Sequence, residues 1–168
     1  MNYNIALLGI LEILSAISIG AAILSITYKL VSWVGRRYYE IENHNLAFSI
    51  FMASMLFAVG FMVSGVIQPL LSLFRLLSGE TWLITLKYLG IGAIYISIAF
   101  GAAVAVGLLS TALYARLTPI DEWEEIRNNN IGVAIIISVI VITLTLMTKS
   151  GVTLIIESLI PYPELPPN

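Results

Sequence analysis

The sequence predicts an all-α, polytopic membrane protein with four transmembrane helices, built from two tandem repeats of two helices each. Of its 168 residues, 59% are hydrophobic and only 11% are charged. Its mean hydropathy of +0.97 lies outside the range of ordinary soluble domains. The chain also contains four apolar stretches that each reach the roughly 20 residues that a helix needs to cross a bilayer.

The first repeat is assigned to residues 1–77. Residues 5–34 are apolar except for Glu12 and Lys29, and they are long enough for the first span. Residues 46–66 form the second span. The chain is therefore expected to cross the membrane and return.

The second repeat is assigned to residues 78–168. Its two spans are predicted at residues 87–116 and 131–151. The apolar sequence continues beyond the last span around Glu157. Residues 161–167 contain four prolines and cannot continue a helix, so we expect an extended C-terminal tail.

The evidence for a duplication lies in the loops and in the spans. Residues 40–46 align with residues 125–131, with Glu, Ile, Asn and Asn in the same places. Residues 97–103 of the third span align with residues 16–22 of the first through small side chains. Because each repeat contains an even number of spans, both repeats are predicted to insert in parallel orientation, related by a pseudo-twofold axis along the membrane normal.

The basic residues predict how the chain is oriented. Cytoplasmic loops carry an excess of Lys and Arg near the span ends. The two long loops are flanked by Lys29, Arg36, Arg37, Arg116 and Arg127, against Arg75 and Lys87 on the other side. We therefore expect a cell membrane protein of the inner or plasma membrane, with cytoplasmic repeat loops and both termini outside.

The second long loop is an acidic island in an apolar chain. Thr118 is the predicted N-cap of a short helix, and Asp121 and Glu122 would fall in its first turn, where the helix dipole favours negative charge. Ile120, Trp123 and Ile126 recur at intervals of three and would face the membrane interface. With Glu125 on the water-facing side, the loop is either a solvated connector or a docking surface for a cytoplasmic partner.

The charges of the two loops are opposite in sign. Arg36 and Arg37 align with Asp121 and Glu122. If the loops meet across the pseudo-twofold axis or across a subunit boundary, these residues would face each other. We expect such pairs to fix the register of assembly more than its stability, because an exposed pair contributes roughly 0 to 1 kcal/mol.

The loop sequence also points to a family. Residues 118–126 read T-P-I-D-E-W-E-E-I and lead into an apolar helix entered at Asn130, as Asn45 enters the helix of the first repeat. With these features the chain resembles the domain-of-unknown-function family 350 (DUF350), with one copy in each half. The family usually has Gly-Asn at these entries, so we expect Asn129 to keep the left-handed turn more readily than His44. The resemblance implies a multi-pass bacterial or archaeal membrane protein with no established activity.

Three ionisable residues lie within the apolar stretches, namely Glu12, Lys149 and Glu157. A charge in hydrocarbon costs roughly 2.5 to 3.5 kcal/mol, so each needs a partner or water. Lys149 is about 27 Å along its helix from Ile131 at 1.5 Å per residue, close to the outer boundary. It could pair with Glu12 or line a pore, or it could extend to the outer headgroups.

The remaining chemistry of the sequence argues against catalysis. The chain has no cysteine and a single histidine, His44, so no cofactor or metal site is expected. No nucleophile stands near a base in a recognisable motif, and no basic run predicts nucleic-acid binding. We expect a non-enzymatic accessory or scaffold subunit embedded in the lipid bilayer, as a homo-oligomer or in a membrane complex. The alternative is a homo-oligomeric ion channel or small transporter that uses Glu12 and Lys149.

Overall fold

The computed structural model describes residues 3–42, 44–67, 69, 82–118 and 121–159, without the side chains of residues 3–8, 11, 12, 15 and 82–89. The helices in this part are α1 (Tyr3–Tyr39), α2 (Leu46–Ser64), α3 (Trp82–Leu117), α4 (Glu122–Arg127) and α5 (Ile131–Ser158). All except α4 contain a segment long and apolar enough to cross a membrane. The described part is therefore all-α, as predicted, and has four helices long and apolar enough to span a membrane. The tandem repeat and its parallel orientation stay predictions.

The helix α2 lies at the centre of the bundle. It packs against α1, α3 and α5, and its contact with α5 is the most extensive of those between described helices. The helix α3 contacts both α2 and α5, whereas α1 packs mainly along α2. Accordingly, α2 is the most buried span and α1 the least.

Small residues bring the spans close together. Ala47 and Ala58 of α2, Ala99 and Ala103 of α3, and Ala134 of α5 are all completely buried. Lipid tails are as apolar as leucine, so helices in a bilayer associate through close van der Waals packing rather than through the hydrophobic effect. The alanines permit that packing because they let neighbouring backbones approach.

Buried hydroxyl groups in the spans are satisfied by their own helices. Thr27, Ser110 and Thr145 each donate to the carbonyl four residues earlier, at 2.8, 2.7 and 2.7 Å. This removes the cost of an unpaired polar group in hydrocarbon. Ser138 differs, because its hydroxyl donates across the bundle to the Ile50 carbonyl at 3.3 Å and links α5 to α2.

The predicted start of the short helix is wrong. Thr118 is not its N-cap, because its hydroxyl donates back to the Tyr114 carbonyl at 3.0 Å and closes α3. Asp121 is the N-cap of α4, where its carboxylate accepts from the backbone N–H groups of Trp123 and Glu124 at 3.0 and 3.2 Å. An aspartate that accepts two otherwise unpaired N–H groups defines a helix start better than a threonine committed to the preceding turn.

Three helices are longer than the predicted spans, and one of them is α3, which begins at Trp82 rather than at residue 87. The helix α1 continues beyond residue 34 to Tyr39, with Arg36 and Arg37 in its last turn, where positive charge is favoured by the helix dipole. The helix α5 continues to Ser158 and so includes Glu157. The predicted repeat boundary after residue 77 and the proline-rich tail fall outside the described residues.

Candidate functional site

The two long loops meet at one end of the bundle, in a cluster that we call the loop junction (residues 39–42, 44–47 and 121–130). Asn45 is its central residue. Its side-chain oxygen accepts from the Phe48 N–H at 2.7 Å and caps α2. Its side-chain nitrogen donates to the carbonyls of Ile126 and Arg127 at 2.6 and 3.0 Å. One buried side chain therefore starts a span and holds the other loop in place.

Asn129 makes the reciprocal contact from the second loop. Its side-chain oxygen accepts from the Ala47 N–H at 2.9 Å, so it satisfies a donor in the first turn of α2. Its backbone is left-handed, with φ of 62°, as the sequence predicted. In the first loop the positive φ falls at Glu40, with 51°, and not at His44.

Asn130 starts the last span in the same way as Asn45 starts α2. Its side-chain oxygen accepts from the Val133 N–H at 3.3 Å, which makes it the N-cap of α5. Its side-chain nitrogen donates to the Glu125 carboxylate at 2.6 Å. Glu125 therefore orients the capping amide. Both asparagines occupy the helix-entry positions for which the sequence singled them out.

Aromatic side chains close the apolar side of the junction. The ring of Trp123 stacks on Tyr39, with 4.1 Å between centroids and 9° between planes, and meets the edge of Phe51 at 5.4 Å. Ile126 is completely buried and belongs to the same core cluster as Ile41, its counterpart in the alignment. The expectation that Ile126 faces the membrane interface is therefore wrong, because α4 folds back onto the bundle.

The charges at the junction pair differently from the sequence expectation. Among the described residues the one ion pair joins Arg127 to Glu40 at 3.0 Å, and both side chains are largely exposed. Arg36 and Arg37 are exposed at the end of α1. Asp121 is exposed and caps α4, whereas Glu122 is buried. A pairing of the two arginines with Asp121 and Glu122 across a subunit boundary stays a prediction.

The junction also encloses a polar pocket of about 290 Å³ between the loops, which Glu42, His44 and Asn128 help to line. In the described ranges no three His, Cys, Asp or Glu side chains are grouped so that they could hold a metal ion. The arrangement is suited to holding two loops in fixed positions. It brings together Asn45, Asn130, Trp123 and Glu125 of the predicted site residues.

Lys149 lies at the opposite end of the bundle from the junction. Its ammonium donates to the Ser64 hydroxyl at 3.0 Å and lies 3.8 Å from the centre of the Phe61 ring. The side chain of Glu12 is outside the described part, so its pairing with Lys149 stays a prediction. Glu157 is half-buried near the end of α5.

Sequence reasoning missed several partners in these contacts. Tyr39 as the partner of Trp123 and Glu40 as the partner of Arg127 carry no local signal. The Lys149 to Ser64 contact did carry one, because the predicted duplication places the two residues at about the same position. If the chain is a duplication, equivalent residues near its twofold axis are expected to meet each other.

Comparison with known proteins gives one finding. Residues 88–160 match the model of a family described as Domain of Unknown Function (DUF350). This segment covers most of α3, all of α4 and α5, and the second loop, and it does not include residues 1–87. No curated protein and no solved structure matches the chain. The resemblance seen in the loop sequence is thus confirmed for residues 88–160, which are similar to this family.

Proposed function

We propose that the protein is a non-catalytic accessory or scaffold subunit of a membrane complex, which packs through its spans and docks a partner at the loop junction. The observation that carries the proposal is the mutual locking of the two loops. Asn45 donates from the first loop to the second, and Asn129 accepts from the start of α2. A flexible connector does not require hydrogen bonds in both directions between two loops, so this arrangement favours a docking surface.

The lock gives the surface charges fixed positions. Arg36 and Arg37 project from the last turn of α1, and Asp121 and Glu124 from the start of α4. A surface whose backbone is held in place before binding loses less conformational entropy when a partner docks. Opposite charges on one rigid surface also give specificity and orientation.

The finer architecture belongs to the same proposal. Two parallel repeats are supported by the contact between Lys149 and Ser64, which are equivalent in the alignment. They are also supported by the matching caps at Asn45 and Asn130. The basic residues near the junction favour a cytoplasmic position for it, with both termini outside the cell membrane.

The test is native mass spectrometry of the protein extracted gently from its source membrane. We expect further subunits at fixed stoichiometry with the wild type. The double variant Arg36→Gln and Arg37→Gln should lose them. The matched control Arg116→Gln, which removes an exposed charge at the end of α3, should keep them. A closed homo-oligomer without other subunits would contradict the accessory role.

The second candidate is a homo-oligomeric ion channel or small transporter that uses Glu12 and Lys149. It is favoured by the position of an ammonium group within a span, since intramembrane charges often mark ion pathways. Thr27, Ser110 and Thr145 bond to their own helices, and four spans make a thin wall, so a pathway would need several subunits. If the channel role holds, Glu12→Gln and Lys149→Gln should change ion flux in liposomes. If the accessory role holds, the same two variants should leave partner binding unchanged.

A further inference from the structure

We propose that the groove between α1 and α2 binds an acyl chain of an anionic phospholipid, and that Lys149 binds the phosphate of that lipid. This site lies at the far end of the bundle from the loop junction. It therefore does not depend on the role proposed for the junction, and each can fail without the other.

The groove is apolar and open to the side of the bundle. Its volume is about 470 Å³, within the range of pockets that hold small ligands. Phe57 and Phe61 stack at 5.6 Å and form an aromatic wall. The groove is lined by Leu24, Leu56, Phe57, Gly60, Phe61 and Ser64. From Leu56 to Ser64 it follows α2 for about 12 Å at 1.5 Å per residue, which suits the upper part of an acyl chain.

A positive charge stands at one end of this groove. The Lys149 ammonium contacts Ser64 and Phe61, the two lining residues at that end. An ammonium has three donors, and Ser64 is the one described residue that accepts from it. With three donors, the ammonium can bond to an oxygen ligand in addition to Ser64. Gly65 leaves room for the lysine stem, because a Cβ atom there would lie 3.3 Å from the Lys149 Cε.

The depth of the ammonium fits a lipid phosphate. Ser64 and Lys149 each lie about 27 Å along their helices from the loop junction at 1.5 Å per residue. The hydrocarbon core of a bilayer is about 30 Å thick. The charge therefore lies at the headgroup boundary of the leaflet opposite the junction. The groove runs from there toward the membrane centre.

Charge complementarity selects the kind of lipid. Phosphate oxygens and an ammonium form charge-assisted hydrogen bonds that are stronger than neutral ones. A zwitterionic headgroup offers the same phosphate together with a compensating cation, so it gains less from Lys149. We therefore expect the site to prefer a phospholipid with net negative charge over a zwitterionic one of equal chain length.

The experiment is native mass spectrometry of the full chain, with titration of phosphatidylglycerol and phosphatidylcholine that carry identical acyl chains. We expect the first lipid to bind about tenfold more tightly. Lys149→Gln should remove about that factor, equivalent to about 1.4 kcal/mol, while binding of the second lipid stays nearly unchanged. Lys149→Arg keeps the charge and should keep the preference.

Two controls distinguish lipid binding in the groove from a general attraction of anionic lipid to exposed lysines. Lys29→Gln removes an exposed lysine of α1 that does not line the groove, and it should bind phosphatidylglycerol as the wild type does. Gly60→Leu fills the groove, because a Cβ atom at Gly60 lies only 3.6 Å from Leu24, and it should weaken both lipids. Glycerol phosphate without acyl chains should not displace the bound lipid.

The proposal would be overturned by equal affinity of the wild type for the two lipids, or by unchanged phosphatidylglycerol binding in Lys149→Gln. An equal loss in Lys29→Gln would also overturn it. If Gly60→Leu abolished a dimer instead of a lipid adduct, the occupant would be a second copy of the chain. Thermal unfolding of each variant without added lipid checks that the variant is folded. If Gly60→Leu is not folded, the Lys149 variants alone test the lipid site.

Discussion

At the scale of single residues, Asn45 joins two tasks that are usually separate. As N-cap it supplies the acceptor for α2, and as a donor it satisfies two carbonyls at the end of α4. Asn130 has the same cap role, but its nitrogen bonds to an exposed carboxylate. The two residues are equivalent in sequence and unequal in the structure.

Because Asn45 makes more hydrogen bonds to buried groups than Asn130, we expect its substitution to lower the free energy of unfolding by more. Asn130→Ala loses mainly a cap and should destabilise the fold by about 1 kcal/mol. Asn45→Ala also removes both cross-loop hydrogen bonds, to the Arg127 carbonyl and to the Ile126 carbonyl, of which the latter keeps its bond from the Asn129 N–H. We expect a loss of about 2 to 4 kcal/mol. Asn45→Asp keeps the capping oxygen but loses the amide donor, so it measures the contribution of the two cross-loop hydrogen bonds alone. Denaturant unfolding in detergent micelles measures the three values, and equal costs for the two alanine variants would contradict the central role of Asn45.

Substitutions of Asn129 distinguish the cost of its left-handed backbone from the contribution of its side-chain hydrogen bond. Its φ is 62°, and its side chain accepts from the Ala47 N–H. Asn129→Gly loses the bond but suits the left-handed backbone, whereas Asn129→Ala loses the bond and adds strain of about 1 to 2 kcal/mol. We expect the alanine variant to be less stable than the glycine variant by about that amount. Equal unfolding midpoints would show that the turn is not held left-handed in solution.

At the scale of helices, the pairing of α2 with α5 depends on Gly65, the C-cap of α2. A Cβ atom there would lie 2.8 Å from the Thr153 hydroxyl and 3.2 Å from the Met62 carbonyl. The backbone φ of −69° suits any residue, so the requirement for glycine is steric. The contact lies beside Lys149 and holds the end of the bundle that is opposite to the loop junction.

Gly65→Ala should therefore push α2 and α5 apart. Overpacking of this kind costs about 1 to 3 kcal/mol, and we expect a lower unfolding temperature in micelles. The matched control is Gly101→Ala in α3, where a Cβ atom would meet no other atom within 4 Å, and which should be neutral or slightly stabilising. A stability loss in Gly101→Ala as large as that in Gly65→Ala would mean that crowding at Gly65 is not the cause.

The sequence predicts spans well because hydropathy and length are properties of a continuous segment. It predicts Asn45 and Asn130 at the helix entries because capping residues stand beside the element that they cap. It does not predict that Asp121, rather than Thr118, caps α4, since both residues are acceptable caps and only the closing turn of α3 decides between them. The stacking of Trp123 on Tyr39 depends on how the two loops approach, and no local pattern encodes that.

At the scale of the whole molecule, the bundle departs from the twofold arrangement expected of a duplication. The helix α3 packs against both central helices, whereas its counterpart α1 packs mainly against α2. As a result α1 exposes large apolar side chains, among them Ile17, Ile26 and Trp33. In a membrane such a face is covered by lipid or by another helix. The charges at the end of α1 provide a way to test whether a second copy of the chain covers this face.

The last prediction concerns assembly through those charges. If Arg36 and Arg37 face Asp121 of a neighbouring copy, Arg36→Glu with Arg37→Glu should weaken self-association in lipid nanodiscs. The loss should be roughly fivefold or less, since an exposed pair contributes at most about 1 kcal/mol. Adding Asp121→Asn should restore part of it, because asparagine removes the repelling charge and still caps α4. Energy transfer between labelled copies measures the association. If Asp121→Asn does not restore it, Arg36 and Arg37 do not face Asp121 of a neighbouring copy.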